Sequence, residues 1–504
     1  VSRAGAAGAV GAPPGACPVH VPGDEGATAI AREPLWHAYA TGVDRPAPPA
    51  WAGLAEPPPP EHVPPPAPGG GARAPLPVGA VRHLQAARYP TVGGAPAVPQ
   101  ALGHALATAF APLRREPANP YNDHRPYASA RCLFPVQAVL ADPHRARLLD
   151  PARRALVDLP GRGPGAGEEV LLTGRYAAVP RGYRWFRGSL VDLESGFALR
   201  SLALALGLHG VAGRLVLPDG QRDAGVPHAL GLPAGEHWSL PLRVQVGAAA
   251  GPDPARSTAR AERVDGDPVL AEVLAADRAQ RSDGVPAPVH HGVPDGLAAR
   301  DRTWADVLWD RTSGRMPRGL HGMAGRRRRV PRAVLDDAAR WVAVPPPGTT
   351  LAVAHAELRA SVAVQDVEGH GDGLHVVRDG LPVPVRPEAG LPALLERHYG
   401  YPASPVNGCD VRHASAVWFL SFRPRAVVDR IGPGGWTSAL RAAGWAAHGL
   451  CLAAAAHGLY ARPVRAFREE PLQSVLGLAP DETVALAVVV GTPRHADALL
   501  DLRL

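Results

Sequence analysis

Five consecutive residues, Arg311-Thr312-Ser313-Gly314-Arg315, place two guanidiniums and a hydroxyl on one short segment. Arginine forks bind phosphate oxygens and polar ring edges through paired hydrogen bonds, so the segment suits a ligand carrying both. Lysine does not share this role, because all 53 basic residues of the chain are arginine. A lysine base, a Schiff base and a lysine phosphate ligand are therefore excluded. The four cysteines (Cys17, Cys132, Cys409, Cys451) are scattered, without a CxxC pair or a histidine spacing that suggests zinc, so no metal site is expected.

The elements that must position this segment are announced by a repeat. Near residue 200 the chain reads SLALALGLHGVAGRLVLPDG and then LGLPAGEHWSLPLRVQVG; near residue 450 it reads CLAAAAHGLYARPVRAF and then LGLAPDETVALAVVVG. Leu208 answers Leu459 at an offset of 251, and Gly247 answers Gly491 at an offset of 244. A period near 250 residues is too long for a solenoid unit. It implies two copies of one domain fused into an internal pseudo-twofold dimer.

In the first copy, patterning predicts helices over Val78 to Arg88, Pro99 to Leu113 and about Leu190 to Leu206, with strands at Val136 to Leu140, Val170 to Leu172 and Leu240 to Val246. A helix is also expected at Ile30 to Ala40, ahead of two proline-rich blocks. In the second copy, helices are expected at Trp304 to Asp310, Arg332 to Val342 and Thr437 to Ala456. Strands are expected at Thr350 to Leu358, Val362 to Val377 (broken by the turn Glu368 to Gly371), Val417 to Phe422 and Val484 to Val490. The fold class is α+β, layered in each half. The expected organisation is a disordered tail (1–30), a first domain (31–250), a Pro/Asp/Gly-rich linker (251–300) holding one helix at Val269 to Arg278, and a second domain (301–504).

These motifs in this order resemble the nitroreductase superfamily of flavin enzymes, in its azoline-oxidase (SagB/McbC-type) branch. The Arg311-to-Arg315 segment matches the branch's Arg-x-Ser-x-Arg signature. Ala128-Ser129-Ala130-Arg131-Cys132-Leu133-Phe134-Pro135 is similar to its serine loop, with Arg125-Pro126 ahead of it, but Ala130 and Arg131 stand where the family has glycines. Tyr183-Arg184-Trp185 resembles the entry to the long helix, and Gly491-Thr492-Pro493-Arg494 the closing segment whose arginine reaches the flavin phosphate. Arg175-Tyr176 is the nearest match to the branch's Lys-Tyr pair. Arginine stays protonated, so Tyr176, with a pKa lowered by the adjacent cation, becomes the candidate base beside Arg175 and Tyr183.

The resemblance implies FMN, held by Arg311, Ser313, Arg315, Ser129, Ala130, Arg131 and Arg494, and oxidation of peptide thiazolines or oxazolines to azoles in ribosomal peptide (thiopeptide-type) antibiotic biosynthesis. The partners it implies are a ribosomally made precursor peptide and a cyclodehydratase. Family members place each flavin between two subunits. Here one composite site would join Arg311 and Arg494 of the second half to the serine loop of the first. The other would need arginines near Trp36 to Val43 and a serine loop near Val344 to Thr350, and neither stretch supplies them. One flavin per chain is expected. The same flavin could instead serve reduction of a dehydroamino acid, quinone or nitro group with NAD(P)H, or the chain could be a non-catalytic flavin-binding scaffold.

A net charge of +7 favours a phosphate-bearing ligand or an acidic partner without requiring nucleic acid. The basic run Arg326 to Arg329 has no aromatic-interleaved patch beside it. Sparse cysteine fits a reducing cytoplasm, the first residues lack the apolar core of a secretion signal, and no membrane span is expected.

Overall fold

The computed structural model describes residues 72–93, 99–117, 123–183, 185–247, 264, 266–282, 284–314, 325–400, 409–495 and 498–503. The helix expected at Ile30 to Ala40, both proline-rich blocks, Arg184 and Arg315 lie outside them. Among the described residues, no helix is long and apolar enough to cross a membrane, and no group of acids, cysteines and histidines could hold a metal ion.

Two long helices are buried on nearly every side, charged residues included. Phe186–Leu208 and Gly435–Ala456 pack against one another at the centre of the molecule. They meet at glycines. A Cβ on Gly196 would lie 2.0 Å from the Arg441 carbonyl oxygen, and one on Gly444 would lie 2.0 Å from that of Leu193. The contact is reciprocal: 193 and 196 answer 441 and 444 at an offset of 248, between the two offsets of the sequence repeat. The repeated passages follow directly on from this crossing, so the two helices that lead into them form the pseudo-twofold contact. Polar residues in the first helix are matched rather than solvated: Ser201 donates to the Ala109 carbonyl (2.9 Å), and Arg187 pairs bidentately with Asp267 (2.9 Å each).

Each half adds an antiparallel sheet of the same order. The first runs Arg73–Pro75, Ala155–Leu159, Ala146–Asp150, Val136–Ala141, Glu169–Gly174, Leu242–Val246, Gly213–Val216, Ala287–Pro288. The second runs Leu381–Pro387, Gly373–Arg378, Arg359–Val364, Ala416–Phe422, Thr483–Pro493, with Tyr460–Val464 and Gly325–Arg326 both paired to that long strand. A third small sheet ties the halves together, since Leu500–Asp501 pairs with Arg114–Arg115, which pairs with Asp123–His124.

Two expectations change. Thr350 to Leu358 is not a strand: Thr349–Ala356 is a helix, packed against Gly435–Ala456 with Leu351 and Ala354 buried three residues apart. Its Thr and Val content favours strand, but tertiary packing overrides a propensity of a few tenths of a kcal/mol per residue. The segment read as linker is built into the first half. Asp267 caps helix Pro268–Arg278, Asp277 accepts from the Leu240 amide (2.8 Å), and Ala287–Pro288 is the last strand of the first sheet.

Where helix Phe186–Leu208 ends, three histidines converge. The rings of His83, His104 and His209 lie 5.2–5.8 Å apart, and His209 Nε2 is 2.9 Å from the Thr108 hydroxyl. Burial, then the neighbouring His104 and His83, push the His209 pKa down to about 4. Its unfolded value is near 6.5, so this neutral ring contributes stability above pH 6.5 that is lost as pH falls towards 4. We expect about 3 kcal/mol of such loss, read by urea unfolding, and a flatter profile in His209→Gln.

Candidate functional site

Arg311 is carried to the interior by a well-capped helix. Thr303 and Asp306 form a capping box on Trp304–Asp310, and Trp304, Ala305, Val307 and Leu308 anchor it in the core. At Arg311 the backbone turns extended, and the guanidinium enters the first half. Its Nε donates to the Arg125 carbonyl (3.1 Å), while its own carbonyl accepts from Arg114 Nη2 (3.3 Å). Nη1 is buried without a hydrogen-bond partner. Arg311 forms no ion pair among the described residues, and burial pushes its pKa down to about 10, with Cys451, Arg114 and Cys132 close by. A buried cation with a free donor favours an anion as its partner.

The rest of this segment is fixed by one tyrosine. The Thr312 carbonyl accepts from the Ala461 amide (3.0 Å), and a Cβ on Gly314 would lie 2.5 Å from the Tyr460 ring. Gly314 also has φ +62, so glycine is required there twice over. Cβ atoms on Gly325 and Gly491 would likewise come within 3 Å of the Tyr460 hydroxyl oxygen. The arginine segment and the end of the last long strand therefore share one wall. Ser313 is half-buried on it; Arg494, three residues past Gly491, is exposed.

The serine loop faces Arg311. Arg125 stacks over the Phe134 ring at 3.9 Å. The loop lacks the family's glycines, yet Arg131, Cys132 and Phe134 adopt φ of 52, 55 and 46°. Each such residue costs on the order of 1–3 kcal/mol and persists only where its surroundings over-determine it. The surroundings here are Glu194, on the first-half central helix. It receives the Ser129 hydroxyl at Oε2 (2.5 Å) and the Val136 amide at Oε1 (3.3 Å), while Ser129 Oγ accepts from the Phe134 amide (2.9 Å). Both ends of the loop are thus tied to one carboxyl, whose pKa burial raises to about 8. Ala130 is exposed and Arg131 half-buried on this loop. Glu194 is absent from the sequence-based set. Its signal was an acid inside a helix that is buried along nearly its whole length.

The remaining expected residues, Arg175, Tyr176 and Tyr183, belong to two short turns of the first half. Arg175 is buried and pairs with Glu236 (Nε–Oε2 2.5 Å), and its amide donates to the Pro135 carbonyl at the end of the serine loop. Tyr176 is 1% exposed, and burial, then Asp277 and Asp192, raise its pKa well above the usual value. The expected lowering by an adjacent cation is therefore reversed: burial dominates, and the guanidinium beside it is paired with Glu236. Tyr183 is half-buried with its ring against Phe186 (6.2 Å).

Protein packs against the start of Val344 to Thr350, the stretch expected to serve the second site. Trp445 Nε1 donates to the Val344 carbonyl (3.0 Å). Arg200 donates to the carbonyls of Trp445 (2.8 Å), Gly292 (2.6 Å) and Trp341 (3.1 Å), sandwiched between the Trp341 and Trp445 rings at 4.8 and 4.9 Å. Trp36 to Val43 lies outside the described residues.

Residues 352–492 match the model of the nitroreductase family. Across solved structures, a candidate nitroreductase from Anabaena variabilis is 14% identical, covers 92% of this chain and 100% of its own, and superposes with a TM-score of 0.63. One from Ralstonia eutropha (18% identity, 40% of this chain, 89% of its own) gives 0.28. The Escherichia coli microcin synthetase McbBCD complex with truncated pro-MccB17 bound (12%, 33% and 65%) also gives 0.28. No curated protein matches the chain. The chain has a nitroreductase-like fold over nearly its whole length, with a nitroreductase-family domain in its second half.

Proposed function

We propose that this chain is an FMN-dependent oxidoreductase that holds one flavin where its halves meet and oxidises peptide thiazolines or oxazolines to azoles. The observation that carries the flavin reading is Arg311, delivered by the second half to the serine loop of the first with a buried donor unused. Such a donor fits a phosphate, and we assign Arg315 and Arg494 as further ligands. Ser129, Ala130 and Arg131 would face the ring, and Ser313 the polar chain between ring and phosphate. One flavin per chain is favoured because Val344 to Thr350, expected to serve the second site, lacks a serine and packs against Trp445.

Bound FMN supplies the two-electron acceptor for an azoline, which loses a ring Cα proton to a base and a hydride from Cβ; oxygen can restore the cofactor. What falls to the chain is to bind, to orient and to take the proton. Tyr176 is buried away from any substrate and burial raises its pKa, so we assign proton transfer to Tyr183, the partly exposed phenol of the two. The assignment to azolines rests on the motif order together with the fold. Its expected partners are a precursor peptide and a cyclodehydratase.

Incubating FMN-loaded protein with a thiazoline peptide in air is expected to give a product lighter by two hydrogens. The yield should fall in Tyr183→Phe at unchanged FMN content. Failure with several such peptides would remove the substrate assignment, and rapid bleaching of the flavin by NAD(P)H would replace it with the reductive chemistry.

A further inference from the structure

Ser129 has one hydroxyl proton and two neighbours that compete for its oxygen. Oγ accepts from the Phe134 amide (2.9 Å) and lies 2.5 Å from Oε2 of Glu194, while the second carboxyl oxygen accepts from the Val136 amide (3.3 Å). If Glu194 is ionised, Ser129 must give its proton to the carboxylate and has none for a ligand. If Glu194 is neutral, the carboxyl proton can be donated to Oγ, which has a second lone pair for it, and the hydroxyl proton is free to turn outward. We propose that Glu194 is a positioning residue that sets whether Ser129 donates a hydrogen bond to the flavin, and so makes flavin binding proton-linked. The inference rests on the flavin reading above and adds a control to it.

The groups that face this carboxyl are few. Arg125 and Tyr127 approach from the segment leading into the loop; the first favours the anion, while Tyr127 has its own pKa raised by burial and by Glu194. Burial outweighs Arg125, so the acid keeps its proton up to about pH 8. The helix supports the asymmetry: at the pseudo-twofold offset of 248, Ala442 stands opposite Glu194, so the device belongs to one half. Apparent affinity scales with the fraction of protein in the competent state. Above the titration point, binding should weaken up to tenfold per pH unit.

The test is a titration of flavin-free protein with FMN, followed by flavin fluorescence at pH 7 and pH 9, a window above the second phosphate ionisation near 6. The wild type is expected to bind about tenfold more weakly at pH 9. Glu194→Gln, whose amide donates to Ser129 at any pH while its oxygen accepts from Val136, should bind FMN equally at pH 7 and pH 9. Ser129→Ala should bind more weakly and be equally flat, and it carries the test alone if the glutamine variant does not fold. FMN bound by wild type with less than a twofold change overturns the proton link and leaves the flavin reading standing. So does a glutamine variant that keeps the slope. No FMN bound at either pH overturns both.

Discussion

Replacing Arg311 by methionine should weaken FMN binding at least a hundredfold while leaving the flavin-free protein no less stable, and more stable if the loop closes over the apolar side chain. The two effects have one cause. In the flavin-free protein Arg311 is a desolvated cation, pushed down to about 10, with no ion pair among the described residues and with Nη1 unpartnered. Exchanging such a group for a well-packed apolar one is often neutral or stabilising. The loss is the single bond from Nε to the Arg125 carbonyl, worth about 1 kcal/mol. On the ligand side, a buried charge-assisted contact to phosphate is worth about 2–5 kcal/mol when truncated, and a hundredfold corresponds to about 2.7. Fluorescence titration and a thermal melt read both halves of the prediction. Unchanged affinity would make Arg311 a structural arginine.

Arg200 supplies the control. It is buried too, and burial lowers its pKa to about 9, but three backbone carbonyls accept from it. Arg200→Met leaves those acceptors unsatisfied in the core, so it should lower the melting temperature and leave FMN affinity unaltered. The two arginines separate a site kept open for an anion from one closed by the protein's own groups.

The internal symmetry was legible in the sequence because the two central helices are buried all round, and such helices tolerate few substitutions outside small and apolar types. The motifs around Arg311 and Ser129 can be singled out in sequence because their spacing survives. The loop between Ser129 and Pro135 was not. Its shape is enforced by Glu194, 58 residues from Val136 in sequence, rather than by glycines that a motif would display. Tyr176 differs from expectation for a related reason: the fold buries its phenol completely, and burial outweighs any nearby cation. The hairpin Ala146–Asp150 and Ala155–Leu159 escaped notice because its arginines and aspartates interrupt the apolar alternation. Thr349–Ala356 shows local propensity giving way to the face it packs against.

The other large effect is expected where the central helices cross. Gly196→Ala should cost about 4 kcal/mol, and so should Gly444→Ala, read by urea unfolding. A methyl at either position meets a backbone carbonyl at 2.0 Å, and neither that oxygen nor the helix bearing it can move aside alone. The helices must part, which opens gaps among neighbours packed at crystalline density. Each single change should also weaken FMN binding, because Leu193, whose carbonyl Gly444 meets, adjoins Glu194 and its hold on the serine loop. The two substitutions should not add. Once one methyl has moved the axes apart, the second enters space already opened, so the double variant should cost clearly less than the sum of the singles. Additive costs would mean that each clash is relieved locally and that the two contacts are independent. Sub-additive costs within one cooperative transition would mean that the halves fold as a unit through this crossing, and that the flavin site, assembled from both, depends on it.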